Sequence, residues 1–144
     1  MKTVAQMLRT KPQRTIHSIA PDATVLEALR VMAEHNVGAL LVSENGQLLG
    51  IVSERDYARK GVLLGRSSIG TQVREIMSVP VISVTPRQSI RECMEIMTER
   101  HLRHLPVLDD GKLVGLLSIG DLVKETVAEQ DGLIQHLEQY IRGE

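Results

Sequence analysis

Gly50-Ile-Val-Ser-Glu-Arg-Asp56 and Gly115-Leu-Leu-Ser-Ile-Gly-Asp121 follow one pattern: a glycine, two aliphatic residues, a serine and, three residues later, an aspartate. The similarity extends outward from these two signatures. Residues 20–57 align without a gap onto residues 85–122, with 11 identities among 38 positions. The chain therefore contains two copies of one supersecondary unit.

Each copy predicts the same order of elements. Residues 24–27 and 89–92 both show the Ser/Thr-x-x-Glu pattern that caps the first turn of a helix. Two short aliphatic runs follow, separated by Asn45-Gly46 in one copy and Asp110-Gly111 in the other, which indicates a β-hairpin. The apolar stretches in front of the capped helices are residues 15–19 and 81–84. Since a serine starts a last helix, each copy reads β-α-β-β-α.

These elements predict an α+β fold. A copy of about 50 residues is too small to bury its own sheet face, so we expect the two units to pack sheet against sheet about a pseudo-twofold axis. The predicted boundaries are 1–66 for the first unit with its N-terminal segment, and 67–144 for the second unit with a C-terminal helix. Residues 61–72, with three glycines and two serines, are predicted to be the crossover loop.

The composition argues against several classes of protein. The 144 residues have a formal net charge of -1 and 1% aromatic residues, which argues against nucleic-acid binding through a basic surface or base stacking. No apolar run is long enough to span a membrane, and residues 1–14 lack the apolar stretch of a signal peptide. The single cysteine, Cys93, allows no internal disulfide, so we expect a cytoplasmic protein.

The C-terminal stretch has an apolar stripe without a counterpart in the first copy. Its aliphatic side chains recur at helical spacing. They are Val127, Leu133, Ile134, Leu137 and Ile141. The stripe is compatible with a core helix or with a contact between subunits. We expect a homodimer, with residues 4–8 contributing to the same surface.

The signatures themselves have two interpretations. Ser-x-x-Asp is a capping box, so Ser53 with Asp56, and Ser118 with Asp121, would each start a helix and do nothing else. Alternatively, the exposed start of a helix binds a phosphate through its amides, and an aspartate there accepts hydrogen bonds from the hydroxyls of a ribose. Local basic residues on a nearly neutral chain favour a small anionic ligand over a polyanion.

The duplicated unit, the two signatures and the segment Arg103-His-Leu-Pro-Val107 resemble a tandem pair of CBS domains, named after cystathionine β-synthase and also called a Bateman module. The resemblance covers residues 7–123, and residues 54–60 with 65–68 are similar to a subgroup of stand-alone bacterial CBS-pair proteins. It implies a regulatory, energy-sensing module that binds an adenosine nucleotide in the cleft between its two units.

The resemblance also implies roles for individual residues. The aspartate of each signature, Asp56 or Asp121, would bind ribose hydroxyls, and Ser53 or Ser118 would assist at the ribose or phosphate. Residues expected around the adenine ring are Thr15, Ile16 and His17, or Val81 and Ile82, with Ala39 or Pro106 against its face. Arg103 and His104 resemble positions that reach phosphates.

Charge distinguishes the two signatures. Arg55 lies inside the first one and Arg59 follows it, whereas the second has Ile119 and Gly120 between its serine and aspartate. Because arginine binds phosphate through two hydrogen bonds, we expect the Asp56 site to prefer the more anionic ligand. The expected ligands there are AMP or a dinucleotide such as NAD(H), assisted by Lys11 and Arg103, with ATP a further adenosine nucleotide to test.

No catalytic or metal site is predicted. His101 and His104 lack a third ligand at suitable spacing, and Cys93 aligns with Ala28, which favours a small core residue over a nucleophile. We therefore expect a non-catalytic module that regulates an unidentified partner protein. Two alternatives stay open: a constitutive protein-interaction subunit that binds no ligand, and a nucleotide phosphohydrolase.

Overall fold

The computed structural model describes residues 2–10 and 16–141, apart from the side chain of Tyr140. The chain divides into two units with different connectivity. One unit is the uninterrupted segment Thr15–Val81, which we call the continuous unit. The other combines Met1–Arg14 with Ile82–Glu144, and we call it the discontinuous unit.

The structure has the predicted α+β fold and the predicted order of elements, except that the strand predicted at residues 81–84 does not form. The elements are α1 (Val4–Thr10), β1 (Ser18–Ile19), α2 (Val25–His35), β2 (Ala39–Glu44), β3 (Gln47–Ser53), α3 (Glu54–Asp56), a π-helix (Tyr57–Val62), a 3-10 helix (Val73–Glu75), α4 (Ile90–Arg100), β4 (His104–Asp109), β5 (Lys112–Ser118) and α5 (Ile119–Ile141). No helix among the described residues is long and apolar enough to cross a membrane.

The local predictions for caps and turns are confirmed. The hydroxyl of Thr24 accepts from the amide of Glu27 at the start of α2, and Ser89 does the same for Glu92 at the start of α4. Both hairpin turns have positive φ at their two central residues. They are Asn45 (53°), Gly46 (77°), Asp110 (50°) and Gly111 (79°). Asparagine, aspartate and glycine tolerate this conformation, so the turn residues fix where each hairpin reverses.

The continuous unit contains a three-stranded sheet in the order β1-β2-β3, with β1 parallel and β3 antiparallel to β2. The discontinuous unit contains only the antiparallel pair of β4 and β5 among its described residues. In place of a first strand it has one parallel bridge between Val84 and Val107. A proline explains the difference. The amide of Leu41 donates to His17 in the continuous unit, and the aligned residue Pro106 has no N–H to donate.

The division into units differs from the predicted boundary between residues 66 and 67. Val73 and Ile76 are fully buried in the core of the continuous unit, so residues 61–72, predicted to cross between units, lie inside one of them. The N-terminal helix α1 belongs to the other unit. Its Val4 and Met7 pack with Cys93 in the core of the discontinuous unit, and the amide of Val4 donates to the Gln88 carbonyl at 2.9 Å. The sequence predicts that residues 4–8 contribute to the exposed surface of the C-terminal helix. This prediction is wrong, because α1 lies against the core.

This arrangement reveals a second, shorter repeat at a different offset. Residues 3–8, Thr-Val-Ala-Gln-Met-Leu, correspond to residues 72–77, Gln-Val-Arg-Glu-Ile-Met. In each segment the side chain of the fourth residue accepts a hydrogen bond from the amide of the first residue. The valine of each segment is buried, and the last residue packs against the glycine of a signature. A Cβ on Gly115 would lie 2.9 Å from Leu8 Cδ2, and one on Gly50 would lie 2.9 Å from Met77 Sδ. At Gly50 a Cβ would also lie 3.1 Å from the carbonyl oxygen of Ser78, so this glycine permits a close approach of the backbone, whereas at Gly115 only the flexible end of the Leu8 side chain would have to move.

Candidate nucleotide-binding site

The first signature is a closed capping box at the end of β3. The Oγ of Ser53 accepts from the amide of Asp56 at 3.1 Å, and Asp56 Oδ2 accepts from both the amide and the hydroxyl of Ser53 at 3.0 Å. The other carboxylate oxygen, Oδ1, accepts from the hydroxyl of Ser78 at 2.9 Å. The capping box predicted for Ser53 and Asp56 is therefore present, and the half-buried carboxylate already has three donors from the protein.

The second signature repeats the box at the end of β5. Asp121 Oδ2 accepts from the amide of Ser118 at 3.0 Å, and Ser118 Oγ accepts from the amide of Asp121 at 3.1 Å. Ser118 and Asp121 are both half-buried. The Ser-x-x-Asp pattern thus has the same local geometry twice.

The first amide of each helix also has an acceptor. The amide of Glu54 donates to the Gly38 carbonyl at 3.1 Å, and the amide of Ile119 donates to the Arg103 carbonyl at 2.9 Å. Since the serine hydroxyl takes the third amide, a helix start offers only its second amide to a ligand. An anion at this position therefore needs side-chain cations as well.

The cations lie unevenly around the two signatures, as the sequence indicates. Arg55 and Lys60 are half-buried and Arg59 is exposed, all in the helical turns that follow Ser53. Arg103 is exposed and directly precedes β4. The structure thus gives the continuous unit three cations that immediately follow its Ser53.

His104 lies beside the second signature. It faces Ser118 across the β4–β5 ladder. Burial lowers the pKa of His104 below its ordinary value of 6.5, against the opposing effect of the Asp121 carboxylate, and the Arg103 charge lowers it further. The imidazole is therefore neutral at pH 7 and offers one donor and one acceptor nitrogen.

The comparisons with known proteins decide the family. The CBS domain model matches residues 4–62 and 73–128. This protein belongs to the CBS-domain family. The two matches begin at Val4 and Val73, the equivalent buried valines of the shorter repeat.

Known CBS proteins are similar over most of the chain. A CBS-domain protein from Burkholderia ambifaria MC40-6 has a solved structure with 55% identity and a TM-score of 0.86, covering 90% of this chain and 96% of that one. The CBS domain-containing protein CBSX3, mitochondrial, of Arabidopsis thaliana is 39% identical, covering 98% of this chain and 72% of the relative. A structure of CBSX2 in complex with AMP is 25% identical with a TM-score of 0.72, covering 89% of this chain and 98% of that one.

The residues expected around an adenine ring lie on the first-strand segments and on β2 and β4. Ile16 and His17 are half-buried directly before β1, and Val81 and Ile82 are half-buried in the segment before the bridge at Val84. The other two are buried. Ala39 pairs with Ser53, and Pro106 is two residues beyond His104. Lys11 and Thr15 lie outside the described residues.

Each CBS unit brings part of the predicted set together. In the continuous unit, β2 and β3 hold Ala39 next to Ser53, and the cap fixes Asp56 one helical turn later. In the discontinuous unit, β4 and β5 hold His104 next to Ser118 and Asp121. The sheet register therefore positions the polar residues of each signature.

Three features of the CBS site were not predicted from the sequence. Ser78 bonds to Asp56 from 22 residues away, and no local pattern indicates such a contact. The imidazole of His17 stacks on that of His35, with ring centroids 3.7 Å apart and an interplanar angle of 17°. Tyr57 packs against Gly61, and a Cβ at position 61 would lie 2.9 Å from the tyrosine ring. The glycine is the only sequence signal of this contact.

The cysteine considered as a nucleophile lies in the hydrophobic core. Cys93 is fully buried in the core, and burial, with a contribution from Glu92, raises its pKa to about 11, which keeps it a protonated thiol. Among the described residues no three His, Cys, Asp or Glu side chains lie close enough together to hold a metal ion.

Proposed function

We propose that this protein is a regulatory module that binds an adenosine nucleotide at its Ser-x-x-Asp signatures and has no catalytic activity of its own. The observation that carries the proposal is the twice-built cap, in which a half-buried aspartate lies at the start of a helix beside a hairpin edge. A carboxylate accepts hydrogen bonds at about four lone-pair positions, so it can bind the two hydroxyls of a ribose. The similar CBSX2 structure, solved with AMP, supports this class of ligand.

We propose the residues that the resemblance and the charge pattern indicate. Ribose binds at Asp56 with Ser53, or at Asp121 with Ser118. The adenine ring binds beside Ile16, His17 and Ala39, or Val81, Ile82 and Pro106, and Thr15 is proposed for the first of these sets. The phosphates bind Lys11, Arg55, Arg59, Arg103 and His104.

The two signatures prefer different ligands. Three cations lie among the seven residues after Ser53, whereas one, Lys124, lies among the seven after Ser118, and Ile119 and Gly120 separate that serine from its aspartate. Salt screens the attraction between a phosphate and exposed cations, so nucleotide affinity at the Asp56 site should fall more steeply with salt. We propose AMP or NAD(H) for that site, and ATP tests whether a longer phosphate chain binds more tightly.

Binding gives a direct route to regulation. A nucleotide that favours one of two conformations shifts their populations, and an unidentified partner protein responds to that shift. At 100 times its dissociation constant, a ligand also adds about 2.7 kcal/mol to the free energy of unfolding. A cytoplasmic location and the regulated partner remain predictions from the sequence.

Calorimetric titration with AMP tests the assignment of the sites. Asp56→Asn and Asp121→Asn keep an oxygen for the serine amide but remove the carboxylate charge, so each variant loses the binding event at its own signature. Asp110→Asn is the matched control, because Asp110 lies in an exposed turn where asparagine also adopts positive φ. Unchanged AMP affinity in both signature variants would refute the proposal.

A thermal-shift series with AMP, ADP, ATP and NAD(H) distinguishes a nucleotide-binding module from a constitutive interaction subunit. If no nucleotide raises the melting temperature, the protein is instead a constitutive interaction subunit. Release of phosphate above background would point to a phosphohydrolase.

A further inference from the structure

The C-terminal helix α5 has two parts with different surroundings. Its first part is anchored to the discontinuous unit, because Leu122 is buried, Lys2 Nζ lies 2.7 Å from Glu125 Oε1, and the Lys2 amide donates to Glu129 at 2.9 Å. From residue 130 onward every described side chain of α5 is exposed. A helical extension of about three turns is marginal in water without packing, so this part needs a partner.

The exposed side of α5 has a heptad pattern. Positions 123, 127, 130, 134, 137 and 141 are spaced by four and three residues in alternation. Five of these six side chains are aliphatic, and all five are 46% to 82% exposed. They are Val123, Val127, Ile134, Leu137 and Ile141. Such spacing forms one seam on a helix and packs against another helix with a matching seam.

The seam is complementary to itself in the antiparallel orientation. Two copies of α5 related by a twofold axis near residue 132 place Val123 opposite Ile141 of the second copy, and Val127 opposite Leu137 of the second copy. Gln130 then meets Ile134 of the second copy. Each of these pairs occurs twice, once with the two copies exchanged. The contact therefore closes as a symmetric dimer.

Charge complementarity favours the same orientation. Lys124 and Glu138 lie on one flank of the seam, 14 residues or two heptads apart. Antiparallel packing places Lys124 of each copy beside Glu138 of the other, which gives two ion pairs by symmetry, whereas parallel packing separates them. The same symmetry brings the two Asp131 carboxylates near the axis, which opposes association without reversing it.

We propose that α5 is the dimerisation element of this protein and that it packs against α5 of a second copy as an antiparallel two-helix contact. The seam begins two residues after Asp121, but its test, the mass of the chain without nucleotide, is read out separately from nucleotide binding. It also deepens the homodimer expected from the sequence by naming the helix, its orientation and its register.

Light scattering on the full chain at micromolar concentration is the first measurement, with a mass twice the 16.0 kDa of one chain expected. Ile134→Glu places a charge in the seam and should give a monomer, whereas Gln139→Glu, which is exposed on the side of the helix away from the seam, should leave the dimer intact. Circular dichroism shows whether both variants keep their fold. A monomeric wild-type chain, or an Ile134→Glu dimer as tight as wild type, overturns the proposal.

Charge reversal tests the orientation. Lys124→Glu and Glu138→Lys should each weaken the dimer about tenfold, because each loses two ion pairs, and the double variant should restore it. Asp131→Asn should tighten it. Under mild oxidation, a mixture of Val127→Cys and Leu137→Cys chains should cross-link, while Val127→Cys alone should not. Cross-linking of Val127→Cys alone, or failure of the double charge reversal to restore the dimer, overturns the antiparallel assignment.

Discussion

Ser78→Ala tests whether the Asp56 carboxylate binds a ribose. In the structure Asp56 has three protein donors, two from Ser53 and one from Ser78. A carboxylate has about four acceptor positions, so only one is left, and a ribose diol needs two. A nucleotide must therefore displace the hydroxyl of Ser78 to bind through both hydroxyls.

The hydrogen bond from Ser78 to Asp56 stabilises the fold, but it weakens nucleotide binding because the nucleotide must displace it. A bond to a charged acceptor is worth about 1.5 to 3 kcal/mol when buried, and partial exposure of Asp56 reduces this to about 1 kcal/mol. Ser78→Ala should thus lower the free energy of unfolding by about 1 kcal/mol and the melting temperature by about 3 °C. Because the nucleotide no longer displaces the serine, AMP should bind about fivefold more tightly.

The assay is a pair of measurements on one protein. Denaturant unfolding gives the stability change, and calorimetric titration with AMP in an Asp121→Asn background isolates the Asp56 site. Ser83→Ala is a suitable control, because Ser83 is half-buried in the other unit, distant in sequence from Asp56. If Ser78→Ala loses stability as expected but binds AMP equally or more weakly, the ribose does not compete for Asp56 and the assigned role is refuted.

Three further outcomes follow from packing and titration. Gly50→Ala should destabilise the protein by about 1 to 3 kcal/mol, since the new methyl would lie 2.9 Å from Met77 Sδ and 3.1 Å from the Ser78 carbonyl oxygen, and Met77→Ala in the same chain should cost less than the two single changes together, as a double-mutant cycle in urea can measure. The pKa of His104 is below its unfolded value of 6.5, so the unfolded chain takes up the proton first and the stability falls as the pH drops through and below 6.5. His104→Gln should flatten that part of the stability curve. Cys93, with its pKa raised to about 11, should react with a thiol reagent only as fast as the protein unfolds.

Much of the fold could be predicted because its signals are local. The helix caps at Thr24 and Ser89 and the turns at Asn45-Gly46 and Asp110-Gly111 depend on residues within three or four positions of each other. The serine–aspartate box of the signatures is local in the same way, and the structure contains it twice. These features recur at one offset of 65 residues, which made the duplication visible.

The loss of the first strand in the second unit also has a cause in the sequence, which is a missing backbone amide. Pro106 removes the amide that Leu41 uses to bond His17, and the strand reduces to one bridge at Val84. Predicting the loss of this strand requires the register between the first-strand segment and β4, which the sequence alone does not supply.

By itself, the sequence determined the duplication, the order of elements in each copy and the residues that start and reverse them, because each depends on a short stretch of backbone. Only the tertiary structure decided that α1 completes the core of residues 82–144, that Val73 and Ile76 complete the core of residues 15–81, and that Ser78 bonds Asp56. Those choices join residues from 22 to more than 80 positions apart, and they are set by which cavity a buried valine or methionine fills, a property of the assembled core that no local pattern encodes.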